Sequence, residues 1–119
     1  MNQLVEVKDG WVFCDSKMVA EKFDVHHPNV TRTCERILEK INSSEQFNLN
    51  SWPRIEKRDF EYKGRPFKFY VMNKAAFMMV AMRFTTDKAF EWQLKIVQAF
   101  ELMENRLAIE ESNKKTPHG

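Results

Sequence analysis

Arg32, Arg36 and Lys40 recur at i, i+4 and i+8, so on a helix these three cations fall in one row. A guanidinium can fork onto the O6/N7 edge of guanine or hold a phosphate, and an ammonium can hold a phosphate as a point charge. Asn29 stands just ahead of the row. Its amide matches the N6/N7 edge of adenine, and it equally suits a helix cap. Thr31 lies between them. The same row also reads as a solvated face, with Glu35 and Glu39 as intrahelical partners, and Lys40 is the least suited to a groove because it sits at the far end. His26 and His27 offer base contacts, phosphate contacts or turn residues. Adjacent histidines serve one metal poorly, and Cys14 sits on a different element from Cys34, so no metal site is expected.

The elements that must position these groups run from Asp15 to Ile41. Asp15 or Ser16 can cap a helix through Phe23, with Val19, Ala20 and Phe23 on one face. Asp24-Val25-His26-His27 makes a turn. A second helix begins near Pro28, whose fixed φ suits a first turn, and Val30, Cys34, Ile37, Leu38 and Ile41 form its apolar stripe. One helix packs and the next offers its outer face, which is the layout of a helix-turn-helix.

The rest of the chain supplies a body for that pair. Its 119 residues suit one domain, and 43% hydrophobic residues with ten Phe and three Trp suit a real core. Leu4-Val5-Glu6-Val7 and Trp11-Val12-Phe13 flank Asp9-Gly10, a hairpin signal. Ser43 to Pro53 reads as a loop. Phe60 and Tyr62 lead through Lys63-Gly64-Arg65 to Phe67, Phe69 and Val71, a second hairpin. Arg54 to Lys74 holds seven Lys/Arg (54, 57, 58, 63, 65, 68, 74) and three acids (56, 59, 61), a net of +4 in a chain of net +2. Those cations suit phosphates or the minor groove; they also suit a strand edge that resists aggregation. Asn73 can cap a helix from Lys74 to about Phe84. Thr85-Thr86-Asp87 ends it and caps a last helix from Lys88 to about Ile109. That helix has one stripe of Trp92, Ile96, Ala99, Phe100, Met103 and Leu107 and a second of Phe90, Leu94 and Val97. Two stripes imply a second surface to bury.

Ser16 to Phe23 with His27, Asn29-Val30 and Arg32; Phe69-Tyr70-Val71-Met72-Asn73 running into Phe77; and Thr85-Thr86-Asp87-Lys88-Ala89 with Lys95, Ala99-Phe100 and Met103 follow one another in an order that resembles the phage regulatory protein Rha family. The likeness spans roughly residues 4 to 107. It implies a phage- or prophage-encoded regulator that binds DNA. The family often has Gly after Phe23, where this chain has Asp24; Asp tolerates a left-handed turn, so the turn should survive.

The resulting expectation is an α+β, winged helix-turn-helix-like domain with two β-hairpins (1–84), a long C-terminal helix that dimerises (85–111) and a flexible tail (112–119). Double-stranded DNA would be held by Ser16, His27, Asn29, Thr31, Arg32, Arg36, Arg58, Lys63, Arg65 and Lys68. A homodimer would form through Trp92, Ile96, Phe100, Met103 and Leu107. The rival is a module that binds a host protein. No catalytic residues and no cofactor are expected: only three Gly occur, and neither HExxH nor a nucleophile elbow is present. No apolar run approaches the ~18–20 residues that span a membrane. With no leader and no CxxC, the expected compartment is a reducing bacterial cytoplasm, with Cys34 a core residue and a Cys14–Cys34 bond the alternative.

Overall fold

The computed structural model describes residues 4–43 and 52–115, with side chains to 111. It is an α+β fold of four helices and a four-stranded antiparallel sheet. The elements run β1 (Glu6–Lys8), β2 (Trp11–Asp15), α1 (Ser16–Phe23), α2 (His27–Asn42), β3 (Ile55–Tyr62), β4 (Arg65–Met72), α3 (Lys74–Ala81) and α4 (Asp87–Lys115). The sheet order is β1-β2-β4-β3, so the two hairpins meet where β2 pairs with β4, Cys14 opposite Met72 and Asp15 opposite Val71.

Turn chemistry sets both hairpins. Asp9 and Gly10 have φ of 54° and 82°, and Lys63 and Gly64 have φ of 54° and 74°. Positive φ at both central residues matches the right-handed twist of the flanking strands. Lys63-Gly64 alone makes the second turn, because Arg65 already pairs with Tyr62.

Capping fixes the helices. The Asp15 carboxylate accepts from the Met18 N–H at 2.8 Å, which settles the choice between Asp15 and Ser16. Asp24 ends α1 in the left-handed region, φ 60° and ψ 49°, so the turn expected after Phe23 forms with Asp in place. α2 starts at His27, not after it, with Pro28 in its first turn. The Asn73 carboxamide accepts from Ala76 N–H and Arg54 N–H, both at 3.0 Å, tying the start of α3 to β3. α3 stops at Ala81, short of Phe84. Thr86 Oγ1 accepts from the Ala89 N–H, and α4 then runs 29 residues. It continues through 112–115, where a frayed tail is expected from composition; 116–119 and most of the expected Ser43–Pro53 loop lie outside the described residues.

One core joins the helices to the sheet. Val12, Cys14, Tyr70 and Met72 meet Val19, Phe23, Val30, Cys34, Phe77, Val80, Ile96 and Phe100. Phe23 and Phe77 lie edge to face at 6.2 Å, and Phe77 lies 6.0 Å from Phe100. Cys14 and Cys34 are buried and unbonded; burial pushes the Cys34 thiol up to about 12. No described helix is long and apolar enough to cross a membrane.

The last helix corrects an expectation. Ile96 and Phe100 are fully buried in this core, and Trp92, Met103 and Leu107 pack against it. Ile96 and Phe100 therefore close the chain's own core and are not free for a second copy, while Trp92, Met103 and Leu107 keep part of their surface exposed. The large apolar side chains left exposed on α4 are Phe90, Leu94, Leu102 and Ile109.

Candidate nucleic-acid interface

The apolar stripe of α2 turns one side of that helix inward, and what remains outside is decided by the 3.6-residue period. Asn29, Arg32, Arg36 and Lys40 are exposed. Asn29 is inside the helix and does not cap it: the cap is His26, whose backbone oxygen takes the Asn29 N–H at 2.9 Å. The Asn29 amide is thus left facing out. Thr33 lies on the same side, with its hydroxyl donating to the Asn29 carbonyl at 2.9 Å.

Three expected contact residues face inward. Ser16 has no exposed surface. Its oxygen accepts the Tyr70 N–H at 2.9 Å and lies 2.9 Å from His27 Nε2, so it joins α1, α2 and β4 at one point. Thr31 is buried and donates to the Pro28 carbonyl at 3.1 Å. His27 is half-buried against Ser16. Ser16 and Thr31 are therefore withdrawn from the surface, and His27 keeps part of its ring exposed.

That network has a pH consequence. Burial, the largest cause, holds the His27 imidazole below its ordinary 6.5; Asp15 opposes this and Lys17 adds to it. The Ser16 hydroxyl oxygen accepts from the Tyr70 N–H and lies within hydrogen-bond distance of His27 Nε2, a contact that either neutral tautomer can make. The folded pKa lies below the unfolded one, so the unfolded chain binds more protons as acid is added. Stability from this group should be complete above about pH 6.5 and fall as pH drops below it. Urea midpoints measured at pH 5.5 and 7.5 in the chain and in His27→Gln check this. The variant should lose part of the acid sensitivity, and an unchanged pH profile would exclude His27 as its source.

The hairpin β3–β4 lies beside α2. Tyr70 donates its hydroxyl proton to Glu35 of α2 at 2.9 Å, and Lys68 donates to the same oxygen. These hydrogen bonds hold the Glu35 carboxyl below its usual range. On the opposite face, Lys17 of α1 sits over Phe60 and Phe69, 4.5 and 4.2 Å from the ring centres. The hairpin is therefore clamped at its base from both sides, with its tip exposed.

Most of the hairpin's positive charge is used internally. Arg54 and Arg58 pair with Glu56, Lys68 with Glu35, and Lys74 with Glu104. Of the expected hairpin contacts, Arg58 is thus committed to Glu56, two residues before it on the same face of β3, and Lys68 to Glu35 of the adjoining α2. Lys63 and Arg65 remain at the exposed tip, and Lys63 lies over the Tyr62 ring at 5.3 Å.

Sequence periodicity gives no sign of Arg83. It follows α3, outside any stripe, and a cation at a helix end reads as a partner of the helix dipole. In the fold it faces Asn29, Arg32, Thr33 and Arg36 across a shallow cleft. Among the described residues, Arg32, Arg36 and Arg83 have no acidic partner.

Comparison with known proteins agrees with the sequence resemblance. The profile of the phage regulatory protein Rha family matches residues 14–105, more than half of the chain. An uncharacterized protein of Haemophilus influenzae is 27% identical over 106 residues, covering 88% of this chain. The chain spans 60% of the length of that curated relative. No solved structure matches the chain.

Proposed function

The chain belongs to the phage regulatory protein Rha family, and from that premise we propose that it is a DNA-binding transcriptional regulator. In this reading α1 and α2 are the helix-turn-helix and β3–β4 is the wing. The observation that carries it is the outer face of α2: Asn29, Arg32 and Arg36 are exposed together, and the two arginines have no acid partner among the described residues. A solvated helix face would normally pair such cations, and this helix has Glu35 and Glu39 available at the right spacing. Glu35 instead turns to Tyr70 and Lys68.

Roles follow from position. Asn29 and Arg32, near the start of α2, are placed for base edges, and Arg36 for the backbone. Lys63 and Arg65 at the hairpin tip add sequence-independent phosphate contacts. The testing experiment is selection of bound duplexes from random DNA, followed by affinity against salt concentration. Enrichment of one motif with a steep salt slope supports the reading; no enrichment by a folded sample overturns it.

Arg32→Ala should weaken binding to the selected sequence by about 1–3 kcal/mol and relax preference at one base pair. Titration of matched and scrambled duplexes checks this. Equal loss on both would make Arg32 a phosphate contact. No loss on either would remove α2 from the interface.

One observation favours a second reading, a module that captures a host protein. Met79 of α3 and Met82, its C-terminal cap, are exposed and meet Ile37 of α2 in an apolar groove rimmed by Arg36, Lys40 and Arg83. An acidic amphipathic helix suits that surface. Its binding would be far less sensitive to salt than DNA binding.

A further inference from the structure

We propose that the cleft between α2 and the α3–α4 corner binds a phosphate group, with Arg83 and Arg36 as its two jaws. The inference rests on the DNA-binding reading for the source of that phosphate, a backbone phosphodiester, but not for the chemistry of the cleft.

Charge, order and ligand fit each favour a phosphate there. The first is charge. Arg32 and Arg36 reach the cleft from one element and Arg83 from another, together with Asn29 and Thr33 and no carboxylate. Three like charges brought to one place repel each other and lower stability unless an anion offsets them. The fold supplies none from the described residues, although elsewhere acids pair with Arg54, Arg58, Lys68 and Lys74.

The second is order. Arg83 sits on a short corner whose backbone is fixed. Its N–H donates to the Val80 carbonyl at 3.1 Å, and the next N–H, that of Phe84, donates to Ala81 at 3.0 Å. The Phe84 ring packs edge to face on Phe23, 5.8 Å between centres, so the corner is anchored in the core. A jaw on a fixed corner loses less freedom on closing than one on a mobile loop.

The third is ligand fit. Guanidinium forks match the tetrahedral oxygens of a phosphate in paired hydrogen bonds, and the cleft of ≈ 270 Å³ is open and polar, wide enough for one such group. Arg83 lies across α2 from its hairpin side. Arg83 and the hairpin tip would then grip the backbone on either flank of the base-reading helix.

The test uses the full chain and two probes. Inorganic phosphate, titrated against chloride at matched ionic strength, should shift the backbone amide signals of Asn29, Thr33, Arg83 and Phe84. Arg83→Gln should remove those shifts, and Arg83→Lys should restore part of them. Thermal unfolding of Arg83→Gln should occur at the same temperature or higher, because a repulsion is relieved. With duplex DNA, Arg83→Gln should lose about tenfold in affinity on all sequences alike and shallow the salt slope by about 0.9. Phosphate shifts absent from the wild type, or equal in Arg83→Gln, overturn the site. Phosphate shifts with no DNA binding would keep the site, assign it to a free phosphate-bearing ligand, and remove the regulator reading instead.

Discussion

Phe100→Ala should destabilise the chain by about 3–5 kcal/mol, a large share of the roughly 5–15 kcal/mol that holds a small domain folded. Phe100 is fully buried on α4, and its ring lies 6.0 Å from that of Phe77, which in turn meets Phe23. Removing it deletes a large transfer term and leaves a cavity bounded by three elements, none of which can close in alone. Urea unfolding followed by tryptophan fluorescence measures the loss. Leu102, two residues on, is 65% exposed, and Leu102→Ala should cost no more than about 0.5 kcal/mol under dilution that keeps the chain monomeric. Equal losses for the two variants would show that α4 does not face the core in this way.

This pair also shows what could be read from the chain before its fold. Local signals carried well: the Asp9-Gly10 turn, the Asp15 and Asn73 caps, the Thr86 start of α4 and the left-handed Asp24 each depend on one residue and its immediate backbone. The α2 stripe also carried, because it is one-sided. α4 has apolar residues on two sides, and period alone does not say which side meets the core. That choice depends on Phe77 and Phe23, which are distant in sequence. The inward turn of Ser16 and Thr31 has the same origin. A serine at a helix start reads as a cap, yet Asp15 takes that role and Ser16 is left to bind Tyr70 across 54 residues. Likewise the net +4 of the second hairpin is a true count, but the ion pairs with Glu35 and Glu104 that reduce it are long-range. Arg83 joins the α2 cations only because α3 brings the chain back beside α2.

The exposed side of α4 carries the remaining prediction: we propose that a second copy covers it, and that Leu94→Glu with Leu102→Glu converts a dimer to a monomer. At about 100° per residue, Phe90, Leu94, Leu102 and Ile109 fall within roughly one third of the helix circumference, opposite Ile96 and Phe100. A two-fold axis at Gln98 sets two α4 helices antiparallel. Leu94 of each copy then lies near Leu102 of the other, four residues on either side of the axis. Glu91, which pairs with Lys95 on its own helix, comes near Arg106, which has no acid partner among the described residues. Two outward helix-turn-helix units would then engage two half-sites, and linked binding of that kind gains about 10²–10⁴ in affinity over one unit. Sedimentation at micromolar concentration should show a dimer for the wild type and a folded monomer for the double variant. The monomer should lose that factor on paired half-sites and nothing on a single one. Gln98→Cys, at the axis, should cross-link to itself on oxidation, because the native Cys14 and Cys34 are buried. Phe90→Cys, eight residues from the axis, should not. A monomeric wild type sinks the proposal, and a double variant that stays dimeric moves the interface off this face.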